Sequence, residues 1–211
     1  MTSIDIEAFV LIGGRSSRLG EDKAFIELGG MTLAERSARI IEAAFANVPV
    51  RFVAGADGQF PLDVLAGLAR PMIADLRPGF GAWSGLHTAL AYTRGEWVLV
   101  LACDYPFVPP ELIRLLAGFA TDDNNAVLPV QPDGRLQPLC ALYRVKPFIG
   151  EIEGLMERAE AMPPLRVFLD RPLTRRVEAH EYAAIGDPER LFLNINTPAD
   201  LAKLGHESQE S

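Results

Sequence analysis

The chain has 211 residues, of which 49% are hydrophobic and 23% are charged, a composition typical of a soluble domain with a sizeable core. Its net charge of −8 argues against a broad nucleic-acid surface, which would be basic. No apolar run approaches the ~18 residues of a membrane span, and the acidic segment 1–7 does not resemble a targeting peptide. Two isolated cysteines and three scattered histidines argue against zinc and favour reduced thiols in a cytoplasmic protein.

Apolar runs alternate with helical patterns along the chain. Strands are predicted over 6–12, 50–54, 71–74, 97–102, 126–130 and 138–143. A capping box of Thr32 and Glu35 predicts the start of the first helix. Further helices are predicted over 84–93, from Pro109 and Pro110, over 147–159 and 163–169, and from Pro198.

This alternation predicts a three-layer α/β domain around a mostly parallel sheet. We expect one domain over residues 1–204 and a disordered polar tail over 205–211. In such sheets ligands bind beyond the carboxyl ends of the strands. The loops expected to meet at that edge follow Ile12, Ala54, Ala74 and Ala102.

The first strand opens into a glycine-rich, cationic loop, LIGGRSSRLGEDK, at residues 11–23. Gly13 and Gly14 allow backbone N–H groups to approach an anion, and Arg18 and Lys23 can neutralise a triphosphate. The alternative is a surface turn with solvated charges. A P-loop is excluded because five residues, rather than the usual four, separate Gly14 from the next glycine, and no Lys-Ser or Lys-Thr follows.

This run resembles the signature L-x-G-G-x-S-x-R-M-G-x-D-K of small nucleotidyltransferases, above all the MobA-type molybdenum cofactor guanylyltransferases. The matching residues are Leu11, Gly13, Gly14, Ser16, Arg18, Gly20, Asp22 and Lys23, whereas Leu19 replaces the usual Met. The resemblance implies a Rossmann-like nucleotidyltransferase domain in which Arg18 and Lys23 are catalytic. The nucleotide contacts that it implies in this loop are Leu11, Ile12, Gly13, Gly14, Arg18, Gly20 and Lys23.

Asp104 follows the apolar run 97–102 and lies in the segment Cys-Asp-Tyr-Pro. From the residues alone, Asp104 is either a Mg²⁺ ligand, since Mg²⁺ favours one or two carboxylates plus phosphate oxygens, or a turn cap. The family's C-D-x-P motif matches here at Cys103, Asp104 and Pro106. The resemblance therefore implies that Asp104 binds the metal and the nucleotide and takes part in catalysis.

Three glycines, Gly79, Gly81 and Gly85, lie within seven residues at the start of the helix predicted over 84–93, which suggests close backbone approach to a ligand. The segment resembles the family's aspartate followed by P-G-x-G-P-L-A-G. The resemblance implies nucleotide contacts at Asp75, Gly81 and Gly85, although Asp75 could also be a turn residue. Ala82 and Trp83 depart from the family's Pro-Leu, and Trp83 could reshape the base pocket or stack on a ring.

Two further segments resemble family motifs, D-G-x-x-Q-P-L and N-x-N-T-P. By themselves, Asn194 and Asn196 are interpreted as turn and cap residues. The resemblance places them on the second-substrate side of the cleft, together with Gln137 and Pro138. Arg166 is a further candidate there.

The five segments occur in the family's order over residues 6–204. The resemblance implies transfer of GMP from GTP to the phosphate of molybdopterin carrying molybdenum, with Mg²⁺ as cofactor. The product would be the guanine dinucleotide cofactor plus pyrophosphate, and cofactor-synthesis or acceptor proteins would be partners. The alternatives are a relative that uses CTP or another phosphate acceptor, a non-catalytic nucleotide-binding relative, and a regulatory GTPase, which the missing P-loop argues against.

Overall fold

A seven-stranded sheet forms the centre of the computed structural model, which describes residues 4–13, 23–55, 70–158 and 162–194. The strands are β1 (Ile6–Leu11), β2 (Val50–Ala54), β3 (Met72–Ala74), β4 (Trp97–Ala102), β5 (Ala126–Pro129), β6 (Cys140–Arg144) and β7 (Thr174–Val177). The helices are α1 (Leu33–Ala44), α2 (Ala82–Tyr92), α3 (Pro110–Gly118), α4 (Val145–Arg158), α5 (Leu165–Phe168), α6 (Ala179–Tyr182) and α7 (Pro188–Leu191). A single 3-10 turn, Lys23–Phe25, precedes α1.

The strand order is β3-β2-β1-β4-β6-β5-β7. Strand β6 runs antiparallel to both of its neighbours, β4 and β5, and the other strand pairs are parallel. The prediction of a mostly parallel sheet is confirmed. The carboxyl ends of β3, β2, β1 and β4 consequently lie next to one another along one edge of the sheet.

The sheet is covered on both faces. Every residue of β1 and of β4 is buried, as expected for central strands of a parallel sheet. Alternate side chains pack against α1 and α3 on one face and against α2 and α4 on the other. This packing gives the predicted three layers. It also fixes the positions of the carboxyl ends of β1 and β4 relative to the helices.

The predicted capping box at the start of α1 is only half formed. The Thr32 Oγ1 accepts a hydrogen bond from the Glu35 backbone N–H at 3.2 Å. The Glu35 carboxylate does not complete the box, because it pairs with Arg39 and Arg70. Arg70 also pairs with Glu42 and thereby ties the chain just before β3 to α1.

Three elements near the end of the described chain were not predicted, namely β7, α6 and α7. Strand β7 has the sequence Thr-Arg-Arg-Val, without the apolar run of a central strand, and among the described strands it pairs with β5 alone. Helices α6 and α7 have four residues each, too few for a periodic pattern. The helix predicted from Pro198 and the tail 205–211 lie outside the described residues. In the part of the chain that the structure describes, no helix has both the length and the apolar character needed to cross a membrane.

Candidate active site

The loops after β1, β2, β3 and β4 all start at one edge of the sheet, as predicted. The Cys103 N–H donates to the Leu11 carbonyl at 3.1 Å, which joins the segments after β1 and β4. The Asp75 N–H donates to the Ala54 carbonyl at 2.9 Å, which joins the segments after β3 and β2. Backbone hydrogen bonds thus fix the start of each loop relative to its neighbour.

Gly13 lies in backbone contact with the end of β2. A Cβ atom at position 13 would lie 2.2 Å from the Gly55 nitrogen, a distance that no side chain tolerates. The requirement for glycine here is therefore steric. Leu11 and Ile12, which directly precede Gly13, are buried and pack into the two core clusters on opposite faces of the sheet. The remaining loop candidates, Gly14, Arg18 and Gly20, lie outside the described residues.

Lys23 and Asp104 form the central ion pair of the site. The Lys23 Nζ lies 3.3 Å from the Asp104 Oδ2, although 81 positions separate the two residues. Both side chains are largely buried, with 16% of Lys23 and 28% of Asp104 exposed. The pair brings together the cation from the glycine-rich loop and the carboxylate from the turn after β4.

The two oxygens of the Asp104 carboxylate differ in their hydrogen bonding. Asp104 Oδ1 is buried, and among the described residues it accepts no hydrogen bond. A buried carboxylate oxygen without a partner is costly unless a cation or a donor from a ligand satisfies it. Across the described ranges, no group of three or more His, Cys, Asp or Glu side chains could hold a metal. Asp104 therefore fits a cation such as Mg²⁺ that takes one protein carboxylate and completes its shell with phosphate and water oxygens.

Asp75 is a half-buried carboxyl group at the end of β3. Burial raises the pKa of Asp75 to about 7, although a hydrogen bond from the Thr88 hydroxyl acts in the opposite direction. Asp75 Oδ1 is buried and accepts no hydrogen bond from the described residues. Thr88 also accepts from the Leu76 N–H at 3.0 Å, so one hydroxyl on α2 fixes this turn. Thr88 was not predicted as part of the site, and its only signal in the sequence is a hydroxyl within a largely apolar helix.

The glycine-rich turn before α2 is closed by Ser84. The Ser84 hydroxyl donates to the Arg77 carbonyl at 2.6 Å and accepts from the Phe80 N–H at 3.1 Å. Gly81 caps α2 with a φ of 61°, in the left-handed region that favours glycine, and it is exposed toward the site edge. Gly85, in contrast to the exposed Gly81, is buried within α2. A Cβ atom at position 85 would lie 3.0 Å from a Leu11 methyl group.

Trp83 is buried, so its indole has no exposed face with which to stack on a nucleotide base, one of the two roles that the sequence suggested. Its indole is 4% exposed and packs edge-on against Phe168 with ring centroids 4.8 Å apart. Its Nε1–H donates to the Pro163 carbonyl at 2.8 Å. Trp83 therefore anchors the first turn of α2 to the segment before α5, which carries the exposed Arg166.

The second-substrate candidates occupy different environments. Gln137 is 4% exposed, and its side-chain amide is hydrogen-bonded to Tyr105 and Gln131. The amide is therefore not exposed for the direct substrate contact that the resemblance implied. Pro138 is half-buried, and Asn194 is exposed. Asn196 lies outside the described residues.

A shallow pocket of about 350 Å³ lies beside Asn194. The described residues that line it are Phe107, Asp187, Arg190, Leu191 and Leu193. Lys23, Asp75 and Asp104 are not among them. In the sequence, Phe107 is three positions after Asp104, and Leu193 immediately precedes Asn194.

The sequence matches a family model and named relatives. The model of the MobA-like NTP transferase domain matches residues 8–177. A protein of Pelotomaculum thermopropionicum named as a probable molybdenum cofactor guanylyltransferase is 34% identical over 196 residues, which are 92% of this chain and 89% of that protein.

Solved structures share the fold. The crystal structure of molybdopterin-guanine dinucleotide biosynthesis protein A from Archaeoglobus fulgidus superposes with a TM-score of 0.78 at 25% identity, over 97% of this chain and 100% of that one. A Mycobacterium tuberculosis protein, Rv0371c, solved as a complex with manganese, shares the fold with a TM-score of 0.61 at 16% identity, over 82% of this chain and 88% of that one.

Gly13→Ala tests the steric requirement at the end of β1. Because the added methyl group meets the Gly55 backbone, we expect a loss of about 1–3 kcal/mol in the free energy of unfolding. Gly150→Ala in α4 is the matched control, since no heavy atom lies within 4 Å of its added Cβ and alanine favours helix. Denaturant unfolding of both variants checks the prediction, and equal stability of the two would contradict it.

Asp75→Asn tests the buried carboxyl group through its pH dependence. The folded protein holds the Asp75 proton up to about pH 7, whereas the unfolded chain releases it near 3.8, so raising the pH across this window destabilises the parent. The asparagine variant lacks this loss. The free energy of unfolding of Asp75→Asn, relative to that of the parent, should therefore rise between pH 4.5 and pH 8. The expected rise is about 1 kcal/mol after allowance for solvent screening.

Thermal unfolding across that pH range measures the effect. Asp170→Asn, which removes an exposed carboxylate, is the control for a general change in charge. A constant difference between Asp75→Asn and the parent at every pH would show that Asp75 is not buried as described.

Proposed function

The chain belongs to the MobA-like NTP transferase domain family, and from that premise we propose that it transfers GMP from GTP to the phosphate of a molybdenum-bearing molybdopterin. The products are the guanine dinucleotide form of the cofactor and pyrophosphate. The observation that carries this proposal is the Lys23–Asp104 pair at the carboxyl ends of β1 and β4. A largely buried cation beside a carboxylate whose second oxygen has no partner among the described residues favours a catalytic protein over a relative that only binds nucleotide.

The donor nucleotide is proposed to lie along the row of strand ends. Lys23 and Arg18 compensate the triphosphate charge, and the N–H groups at Gly14 and Gly20 approach the phosphates. Gly13 holds this loop against β2. At the other end of the row, the unsatisfied Asp75 oxygen is suited to accept a hydrogen bond from the nucleoside, and Gly81 exposes backbone at the start of α2.

Asp104 is proposed to hold a divalent cation through its buried Oδ1. The proposed ion is Mg²⁺, for which a single carboxylate together with phosphate oxygens is a favourable donor set. When bound, this ion would neutralise charge on the triphosphate and assist departure of pyrophosphate. The Lys23 ammonium, 3.3 Å from Oδ2, holds the Asp104 carboxylate in one orientation and leaves Oδ1 for the cation.

The transfer step needs little covalent work from the protein. An oxygen of the acceptor phosphate attacks the α-phosphorus of GTP, the new phosphoanhydride bond forms, and the bond between the α-phosphorus and the pyrophosphate oxygen breaks. The acceptor phosphate is already ionised at neutral pH, so no general base is required. Lys23 and Arg18 contribute positioning and charge compensation, and these two effects supply most of the rate enhancement in phosphoryl transfer.

The acceptor is proposed to bind on the side of Asn194. The pocket is lined by the apolar side chains of Phe107, Leu191 and Leu193 together with Arg190 and Asp187, and the apolar residues with the Arg190 cation suit a pterin carrying a phosphate. Pro138, Asn196 and Arg166 remain candidates for this side. We place the reaction in the cytoplasm, where GTP and Mg²⁺ are available, with cofactor-synthesis or acceptor proteins as partners and with no role for nucleic acid or membrane.

Lys23→Ala and Asp104→Asn test the ion pair. Removing a preorganised charge at the reacting phosphates should reduce turnover by about 10²–10³-fold while the protein stays folded. Asp104→Asn should in addition lose its response to Mg²⁺, since an amide carries no charge. Pyrophosphate release, with far-UV circular dichroism as a folding check, measures both effects. Lys146→Ala, at an exposed position of α4, is the matched lysine control, and near-normal turnover of folded Lys23→Ala would refute the assignment.

The base preference is tested by thermal stabilisation with each nucleoside triphosphate and Mg²⁺. We expect GTP to raise the melting temperature more than ATP, CTP or UTP. Trp83→Phe should lower the melting temperature through loss of the Pro163 hydrogen bond and leave the order of nucleotides unchanged, because the indole is buried. A preference for CTP in the parent would favour a relative that uses a different donor. A changed order in the variant would restore Trp83 to the base pocket.

A further inference from the structure

Tyr105 lies directly after the proposed metal ligand and is buried. Its side chain is 7% exposed, and its hydroxyl donates to the Gln137 Oε1 at 2.9 Å. A phenol in this place ties the turn that carries Asp104 to a residue 32 positions later.

Gln137 is itself held at three points. Its N–H donates to the Pro129 carbonyl at 3.0 Å, and its carbonyl accepts from the Cys140 N–H at 3.1 Å. Its side-chain Nε2 donates to the Gln131 Oε1 at 2.5 Å. Because the Nε2 group donates to Gln131, the Oε1 atom is directed toward the phenol. The acceptor that Tyr105 meets is therefore fixed in position and in polarity.

Up to Cys103 the backbone is held by the bonds from Ala102 N–H to Leu139 at 2.7 Å and from Cys103 N–H to Leu11 at 3.1 Å, but the backbone hydrogen bonds past Cys103 are longer. The Tyr105 N–H reaches the Ala102 carbonyl at 3.3 Å, and the Val108 N–H reaches the Tyr105 carbonyl at 3.4 Å, both longer than good backbone hydrogen bonds. The phenol bond of 2.9 Å is shorter than both. Past Cys103, the side chain of Tyr105 thus holds the turn by a shorter hydrogen bond than either of these two backbone bonds.

We propose that Tyr105 is a positioning residue for the metal site, whose hydroxyl bond to Gln137 holds the Asp104 turn so that Oδ1 faces the bound cation. Gln137 then acts through Tyr105 and does not touch a substrate. The inference rests on the proposed function, because it assumes that Asp104 binds a divalent cation with the nucleotide. Residues that orient a metal ligand typically change metal affinity by about 10–100-fold when removed.

Tyr105→Phe is the direct test, and Tyr182→Phe is its matched control. Both tyrosines pack edge-on against Phe192, at centroid distances of 5.8 Å and 6.2 Å, and both hydroxyls donate within the protein. The Tyr182 hydroxyl bonds the Val130 carbonyl at 2.8 Å, away from the Asp104 turn. Each variant keeps its ring and loses one buried hydrogen bond, so the two should lose similar stability.

The readout is the Mg²⁺ concentration that gives half of the GTP-dependent thermal stabilisation, with the Mg²⁺ dependence of turnover measured in parallel. We expect Tyr105→Phe to raise this concentration by about tenfold, with kcat recovering at saturating Mg²⁺, and Tyr182→Phe to leave it unchanged. An unchanged Mg²⁺ midpoint in Tyr105→Phe, together with the stability loss seen in Tyr182→Phe, would overturn the proposal.

Gln137→Met provides a second, independent variant, because it removes the acceptor and keeps similar volume. Its Mg²⁺ midpoint should rise as in Tyr105→Phe, and the double variant should resemble either single variant, since both remove the same bond. Multiplicative effects in the double variant would contradict action through one bond. If the parent itself shows no Mg²⁺-dependent stabilisation by GTP, the proposed function fails and this inference fails with it.

Discussion

The parallel pairing of β1 with β4 is the constraint on which the site depends. The register places Leu11 opposite Ala102, and the Cys103 N–H continues the ladder to the Leu11 carbonyl one step past the strand end. Both strands are buried along their whole length, and a slip of one residue would turn every side chain to the opposite face. The core packing of the sheet therefore also fixes where the glycine-rich loop and the Asp104 turn emerge, and the Lys23–Asp104 contact follows from that.

Seven buried side-chain polar atoms of the described residues have no hydrogen-bond partner there, and two of them, Asp75 Oδ1 and Asp104 Oδ1, are carboxylate oxygens at the site. Tyr105, Gln137 and Tyr182 have their side-chain polar atoms bonded within the protein. In contrast, one carboxylate oxygen of Asp75 and one of Asp104 are buried without a partner among the described residues. Unmet acceptors cost free energy in the folded protein, and a ligand that supplies donors or a cation recovers it. Asp75 follows β3 and Asp104 follows β4, the two outer strands of the row β3-β2-β1-β4, and the proposed nucleotide would lie along that row with its phosphates toward Asp104.

The sequence was sufficient for the elements whose signal is local. The buried run of β4 and the glycine pair after β1 predicted the central strands and the loop edge, because apolar continuity and glycine steric demands are both readable from residue types. Strand β7 was missed because Arg175 and Arg176 carry no apolar pattern, and its formation depends on the edge that β5 offers. The roles of Trp83 and Gln137 could not be predicted either. Each depends on one long-range hydrogen bond, to Pro163 and from Tyr105, that no local pattern encodes.

We propose that the residues at the carboxyl ends of β1 and β4 support the transfer of GMP onto a phosphate acceptor. A single-turnover reaction with GTP labelled at the α-phosphate, Mg²⁺ and molybdopterin cofactor distinguishes this transfer from simple hydrolysis or binding. We expect the label to appear in a pterin dinucleotide, with one equivalent of pyrophosphate released per transfer. Release of labelled GDP with inorganic phosphate, or label that stays in GTP while the acceptor is bound, would contradict it.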